Sequence, residues 1–212
     1  MSAGRLIGKL LLATDNPHKA REIGELLGDI PFELVTPRDL GLELDVAEDG
    51  DTYEANAGKK ATTAAERSGL LSIADDSGIE VDALNGIPGI RSARFAGEDA
   101  TDEENNTLLL NQLQYVPETD RGARFVCVAV LAGPASGEQK ASFRGEWHGR
   151  IAFAPAGEEG FGYDPVFLIP EEDRTVAQLG IAYKQAHSHR SRAFRQLADY
   201  LRGLENVPEP VD

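Results

Sequence analysis

A chain of 212 residues with a formal net charge of −15 and one cysteine is long enough for one substantial core, or one core with a lobe. Its negative balance disfavours nucleic-acid backbones and anionic membrane surfaces, which it would repel over most of its surface. The lone Cys127, within the apolar run Phe125 to Leu131, leaves no partner for a disulfide or a cysteine–zinc site and reads as a small buried hydrophobe. The apolar run Leu10 to Ala13, behind Arg5 and Lys9, is too short for a signal peptide or a membrane span. A cytoplasmic protein is expected, with 1–212 forming a single domain that ends in an acidic, Pro-containing tail from about residue 207.

Leu10 to Ala13 reads as a first buried strand. Thr14-Asp15-Asn16-Pro17-His18-Lys19 follows, and then an amphipathic helix with Ile23, Leu26 and Leu27 on its inner face. Asn16 before Pro17 is a helix start, an N-cap residue with proline at the first helical position. Free backbone N–H groups there, the side chains of Thr14 and Asn16 and the Lys19 ammonium would suit a phosphate. An ordinary capped helix with a surface lysine fits the same residues. The G-x-x-x-x-G-K-[ST] pattern of a Walker loop is absent.

Phe32 to Thr36 predicts a second strand, and an acidic stretch then leads to Glu48-Asp49-Gly50. Asp51 and Glu54 have the spacing of a capping box for an alanine-rich helix running to about Arg67. Tyr53, Asn56 and Lys60 share one face of that helix, either solvated or turned toward a cleft. Leu70, Leu71 and Ile73 then run into Asp75-Asp76-Ser77-Gly78, which reads as a buried strand ending at a turn. Alternation sends the two carboxylates to opposite faces, so one serves a ligand and the other props the turn; a solvated hairpin with exposed acids is the bland alternative. Asn85-Gly86 and Pro88-Gly89 add two turn signals before Arg91, Arg94 and Phe95.

Thr101 and Glu104 predict a second capping box before the leucine-rich face of Leu108, Leu109 and Leu113. Arg121 to Ala132 is apolar on both faces, as a central strand should be, and Gly133-Pro134 to Gly137 turns it back into Lys140 to Trp147. In Gly157 to Phe167, glycines surround Phe161, Tyr163 and Asp164. They permit positive φ or close backbone approach, either for a planar base stacked beside an acid or for a plain turn over core aromatics. If Ser188 caps the last helix, whose apolar stripe is Phe194, Leu197, Ala198, Leu201 and Leu204, then His189 and Arg190 stand in its first turn. The macrodipole disfavours cations there, so a phosphate or a carboxylate such as Asp164 should offset them.

T-x-N-x-x-K after the first strand, E-D-G before the alanine-rich helix, ADDSG with NGIPGIRSARFAG, GFGYDPVF, and K-x-x-x-SHR occur in that order from about Leu10 to Leu204. Together they resemble the inosine/xanthosine triphosphatase family, pyrophosphatases of non-standard purine nucleoside triphosphates. The resemblance implies a Mg²⁺-dependent hydrolase that cuts ITP, dITP and XTP between the α and β phosphates. It implies an α/β fold, a long twisted mixed β-sheet with flanking helices in two lobes and the active site in the groove between them, usually as a homodimer. Carried over to this chain, it implies Glu48 and Asp76 as metal ligands and Asp76 as the base. Thr14 to Lys19 (Thr14, Asp15, Asn16, Pro17, His18, Lys19) and Lys60 then contact the triphosphate. Ser77, Phe161, Gly162, Tyr163, Asp164, Lys184, His189 and Arg190 are the other substrate contacts, with Phe161 stacked on the purine. Three positions depart from the family pattern: Ala55 before Asn56, Tyr183 before Lys184, and His187 before Ser188. A nucleotide-binding sensor without hydrolysis and a pyrophosphatase of different base preference are the competing readings.

Overall fold

The structure, a computed structural model, describes residues 7–134 and 138–204. Seven strands, β1 (Gly8–Leu12), β2 (Phe32–Val35), β3 (Leu71–Val81), β4 (Gly122–Ala132), β5 (Gln139–Ile151), β6 (Phe167–Ile169) and β7 (Arg174–Thr175), form one sheet. Its order is β2-β1-β3-β4-β5-β6-β7. β1 is parallel to both β2 and β3, whereas β5–β6 and β6–β7 are antiparallel. The mixed α/β sheet expected from the sequence is therefore present. Parallel neighbours require crossovers, and α1 (Pro17–Leu26) and α2 (Tyr53–Ser68) supply them on either side of β2.

The chain divides into two compact units, one of Met1–Asp76, Val128–Arg144 and Arg192–Asp212, the other of Ser77–Cys127 and Gly145–Ser191. In the first, Leu10, Leu11 and Leu12 of β1 are buried with Ile73 and with Val128 to Ala132 of β4. α2 presents Ala57, Ala61 and Ala64, all fully buried, a helical stripe of methyl groups. α6 (His189–Leu204) adds Phe194, Leu197, Ala198 and Leu201. In the second unit, Ile79, Val81, Phe125, Trp147, Ile151, Phe167 and Val176 share a core with Leu109 of α3 (Asp102–Gln112) and with Leu113 at its C-cap. Phe125 and Phe167 meet with ring centroids 4.4 Å apart. Cys127 is buried, as expected.

Two expectations need correction. The strand approaching Asp75 does not end there, because β3 continues through Asp75-Asp76-Ser77-Gly78 to Val81, almost wholly buried. It lies between β1 and β4, so tertiary pairing overrides the low strand preference of Asp and Gly. The cap of α2 is Thr52, whose side chain accepts the Ala55 N–H, so Asp51 and Glu54 do not form the expected box. The Thr101–Glu104 box is present in full. The Gly133 to Gly137 turn and the tail from Val207 lie partly or wholly outside the described residues.

Arg121 is a structural anchor that the strand reading did not single out. Only 1% exposed, it donates from Nε to the Ile151 carbonyl at 2.7 Å, from Nη1 to that of Leu113 at 2.7 Å and from Nη2 to that of Ala152 at 2.8 Å. Burial pulls its pKa below the usual arginine value, while the carbonyl oxygens and the Phe153 ring, 4.5 Å away, surround its charge with negative ends of dipoles. Arg121→Met should lower unfolding free energy by roughly 3 kcal/mol, since each buried carbonyl left unpaired costs about 1–3 kcal/mol. Urea unfolding followed by Trp147 fluorescence measures this, and a wild-type midpoint would remove the anchor role.

Candidate active site

The first unit gathers acids and amines around β3. Asn16 caps α1, its Oδ1 accepting the N–H groups of His18 at 2.9 Å and Lys19 at 3.1 Å, and its own N–H reaches Thr14 Oγ1 at 3.3 Å. The expectation of free backbone N–H groups at this helix start is corrected accordingly: the cap has taken two of them, and Pro17 has none. Asp15, Pro17 and His18 lie exposed along the same turn. The Lys19 ammonium instead lies 3.1 Å from Asp75, whose side chain is 1% exposed.

Asp76 projects from the next position of β3 toward α2. Its Oδ2 accepts from Asn56 Nδ2 at 3.1 Å, and Asn56 Oδ1 accepts the Gly50 N–H at 2.8 Å. Lys60 lies 2.6 Å from Glu48 and 4.0 Å from Asp76. The face of Tyr53, Asn56 and Lys60 is thus turned inward rather than solvated, with Tyr53 and Asn56 buried. A Cβ at position 50 would approach Asn56 Oδ1 to 2.7 Å, so glycine is what lets the acidic segment close on the helix. Burial pushes the Asp76 carboxyl above its ordinary pKa, and the ammonium groups of Lys60 and Lys19 recover only part of that. Burial works against the Lys60 charge as well, yet Asp75, Asp76 and Glu48 together hold its pKa above that of free lysine.

Two carboxylates sharing one ammonium form a hard-oxygen, cation-binding face of the kind a divalent ion with several waters or phosphate oxygens requires. Glu48 and Asp76 fit such an ion by this criterion. Among the described residues no group of three or more His, Cys, Asp or Glu forms a complete cage.

The second unit assembles the remaining candidates. Asp164 Oδ2 accepts from the Phe161 N–H at 2.9 Å and from Lys184 Nζ at 2.6 Å, both charged side chains being almost fully buried. Lys184 Nζ lies 3.9 Å from the Phe161 ring centroid and the Arg190 guanidinium 5.8 Å from it. Arg190 Nη2 reaches Ser77 Oγ at 3.0 Å, and His189 stacks on Phe125 at 4.7 Å. Ser188 does cap α6, its Oγ accepting the Ser191 N–H at 3.1 Å. Gly157, Gly160 and Gly162 all have positive φ, and a Cβ on Gly160 would meet Asp164 Oδ2 at 2.2 Å. Tyr163 is buried, its hydroxyl donating to the Ser92 carbonyl at 2.8 Å and its pKa pushed up by burial and then by the Asp102 charge.

The sequence motifs therefore fall into two groups. Thr14 to Lys19, Glu48, Lys60 and Asp76 belong to the first unit; Ser77, Phe161 to Asp164, Lys184, His189 and Arg190 belong to the second. Sequence reasoning missed Asn56 as the holder of Asp76 and Asp75 as the partner of Lys19. The inward face of α2 was the available signal for Asn56; none pointed to the Lys19–Asp75 pair.

A paired-carboxylate and lysine cluster in one unit, and in the other an aromatic face flanked by buried cations, are each chemistry that a nucleotide-processing protein would use. The model of the Ham1 family matches residues 10–200, and the chain belongs to that family. It is 49% identical over 194 residues to the dITP/XTP pyrophosphatase of Yersinia pseudotuberculosis, covering 92% of this chain and 98% of that one. It is 47% identical over 199 residues to the dITP/XTP pyrophosphatase of Geobacter sulfurreducens, covering 93% and 99%. A HAM1 protein from Coxiella burnetii has a similar structure, with a TM-score of 0.85 at 38% identity over 93% of this chain and 100% of that one. The Staphylococcus aureus Ham1 protein follows at 0.82 and 43% over 92% and 99%. The family resemblance read from the motifs is borne out.

Neighbouring aspartates in unlike settings should respond oppositely to the same change. Because Asp76 has a raised pKa in the folded chain, ionising it costs folding stability above the ordinary carboxylate range, and the cost vanishes where both states are protonated. Asp76→Asn should therefore melt no lower than wild type at pH 7, with any gain shrinking toward pH 4. Asp75→Asn strips Lys19 of its acid and should lower stability at pH 7 by up to roughly 3 kcal/mol. Calorimetric melting across that pH range checks both, and a larger loss for Asp76→Asn would reverse the assignment.

Proposed function

We propose that this chain hydrolyses ITP, dITP and XTP to the monophosphate and pyrophosphate, removing deaminated purines from the nucleotide pool. The observation that carries the reading is the buried Asp76 carboxylate, oriented by Asn56 and facing Glu48 around the Lys60 ammonium. The names of the Yersinia and Geobacter relatives support dITP and XTP among these substrates.

In this reading Glu48 and Asp76 hold a divalent metal, taken here as Mg²⁺, which would neutralise triphosphate charge and acidify the attacking water. Asp76 accepts the proton from the attacking water. Lys19 and Lys60 supply cations to the phosphates, with Thr14 and the turn through His18 beside them. Phe161 stacks on the purine. Lys184 and Arg190 present donors to an oxo group at the purine 6 position, where adenine has an amino group that itself donates. Ser77, Gly162, Tyr163, Asp164 and His189 complete the base and sugar contacts. A cytoplasmic homodimer belongs to the same proposal; among the described residues, no helix is long and apolar enough to cross a membrane.

A panel of nucleoside triphosphates with separate detection of pyrophosphate and orthophosphate tests the proposal. Pyrophosphate without orthophosphate, from ITP and XTP ahead of ATP and GTP, is the expected result, abolished by EDTA and restored by Mg²⁺. No product would identify a sensor, and preference for a modified pyrimidine would identify the other enzyme reading. Asp76→Asn should cost at least roughly 100-fold in kcat. Alanine at Lys19, Lys60, Lys184 or Arg190 should each cost about 1.5–3 kcal/mol in kcat/KM. Alanine at the exposed Lys140 or Arg144 should change almost nothing, and equal effects in both sets would refute the assigned roles.

A further inference from the structure

We propose that Asp102 and Asn106 of α3 are positioning residues for purine recognition, acting through the backbone of Phe161 and Gly162. This rests on the reading of Phe161 as the stacking residue. Asp102 and Asn106 lie four apart on the helix and so share a face, and they grip one residue of the glycine-rich loop from both sides. Asp102 Oδ2 accepts the Gly162 N–H at 2.6 Å, and Asn106 Nδ2 donates to the Gly162 carbonyl at 3.0 Å. Gly162 has a φ of +63°, a conformation other residues enter reluctantly.

The consequence falls on Phe161. Two peptide planes flank its Cα, and the orientations of those planes are its only soft backbone degrees of freedom. The plane before it is held by its own N–H on Asp164 Oδ2 at 2.9 Å. The plane after it carries the Gly162 N–H and is held by Asp102. With both fixed, the Cα–Cβ vector of Phe161 is fixed, which leaves only χ1 and χ2 of the ring to be ordered on a base and so lowers the entropy lost on binding.

α3 is itself well anchored. Its N-terminus has a complete Thr101–Glu104 capping box, and the adjacent Asn105 holds the other conspicuous loop, donating to the Ala93 carbonyl at 3.1 Å and accepting the Ala96 N–H at 2.8 Å. Asn106 is 6% exposed, and its Oδ1 accepts no hydrogen bond from the described residues, so its amide is committed to the loop through the donor side alone. The helix start thus ties the Gly162 loop to a part of the fold that does not depend on substrate.

The test separates positioning from general stabilisation. Asp102→Ala removes the acceptor, Asp102→Asn keeps a carbonyl oxygen in its place, and Asn106→Leu removes the donor at similar volume. Asp102→Ala and Asn106→Leu should raise KM for ITP about tenfold, equivalent to 1.4 kcal/mol, with kcat within about threefold. They should also narrow the preference for ITP over ATP, while Asp102→Asn should stay within about threefold of wild type in KM. Inhibition by inorganic tripolyphosphate, which has no base, should be unchanged. Melting temperature and Trp147 emission report whether each variant is folded. Unchanged KM in folded Asp102→Ala and Asn106→Leu overturns the inference alone, as does an equal weakening of tripolyphosphate. If neither alanine nor leucine variant folds, the residues are structural and the positioning role is refuted. A wild-type chain that neither binds nor hydrolyses ITP overturns the functional reading, and this inference with it.

Discussion

Burying charge in the middle of a β-strand imposes the strictest condition on this chain. β3 carries the buried Asp75 and Asp76 and the half-buried Glu80 along a strand that is largely shielded from water. A buried carboxylate is tolerated only when cations or donors meet it. Each of the three is met by a different element: Asp75 by Lys19 of α1, Asp76 by Asn56 and Lys60 of α2, and Glu80 by Arg124 of β4 at 2.6 Å. Much of the first unit follows from this. α1 must begin where its first turn reaches Asp75, and α2 must lie close enough for an asparagine amide to touch Asp76. The alanine stripe of α2 permits that approach, and Gly50 lets the segment carrying Glu48 close over it.

The resulting cluster is poised rather than neutralised. Lys60 is held as a cation by three surrounding acids, while burial makes Asp76 harder to ionise than a free aspartate. A multivalent ion between Glu48 and Asp76 would relieve that tension, because it stabilises the charged form of both carboxylates at once. That is the electrostatic condition which the proposed metal–triphosphate substrate would meet.

The second unit meets a different requirement, rigidity in an irregular loop. The backbone around Phe161 has little helix or strand pairing to hold it, so side chains provide the restraints: Asp164 from within the loop, Asp102 and Asn106 from α3, and the Tyr163 hydroxyl on Ser92. Ser92 in turn donates to the Gly89 carbonyl at 2.6 Å and accepts the Ile79 N–H at 2.8 Å. The loop is thereby connected to β3 through one serine and one tyrosine. Glycine at 157 and 160 is a spatial necessity there, since a Cβ would come within 2.4 Å of Ala177 and 2.2 Å of Asp164.

Features governed by neighbours a few positions away were legible in the amino-acid order. The Asn16 and Ser188 caps, the Thr101–Glu104 box, the apolar β4, the positive φ of the Gly157 to Gly162 loop and the motifs that mark the family all depend on local dihedral preference, hydrogen bonding within one turn, or periodicity. The choice of Thr52 over Asp51 as a cap is also local, but two adjacent candidates differ by too little for spacing to decide. Only tertiary structure could carry β3 through four turn-prone residues, assign Asp75 to Lys19 and Asp76 to Asn56, bury Arg121 among carbonyls, and set α3 against the Gly162 peptide. Each joins residues distant in the chain, and each depends on which strands lie side by side and how far side chains reach once the sheet has formed. The energy that decides such pairings is the desolvation of the buried groups, a quantity that exists only after the fold has removed the water.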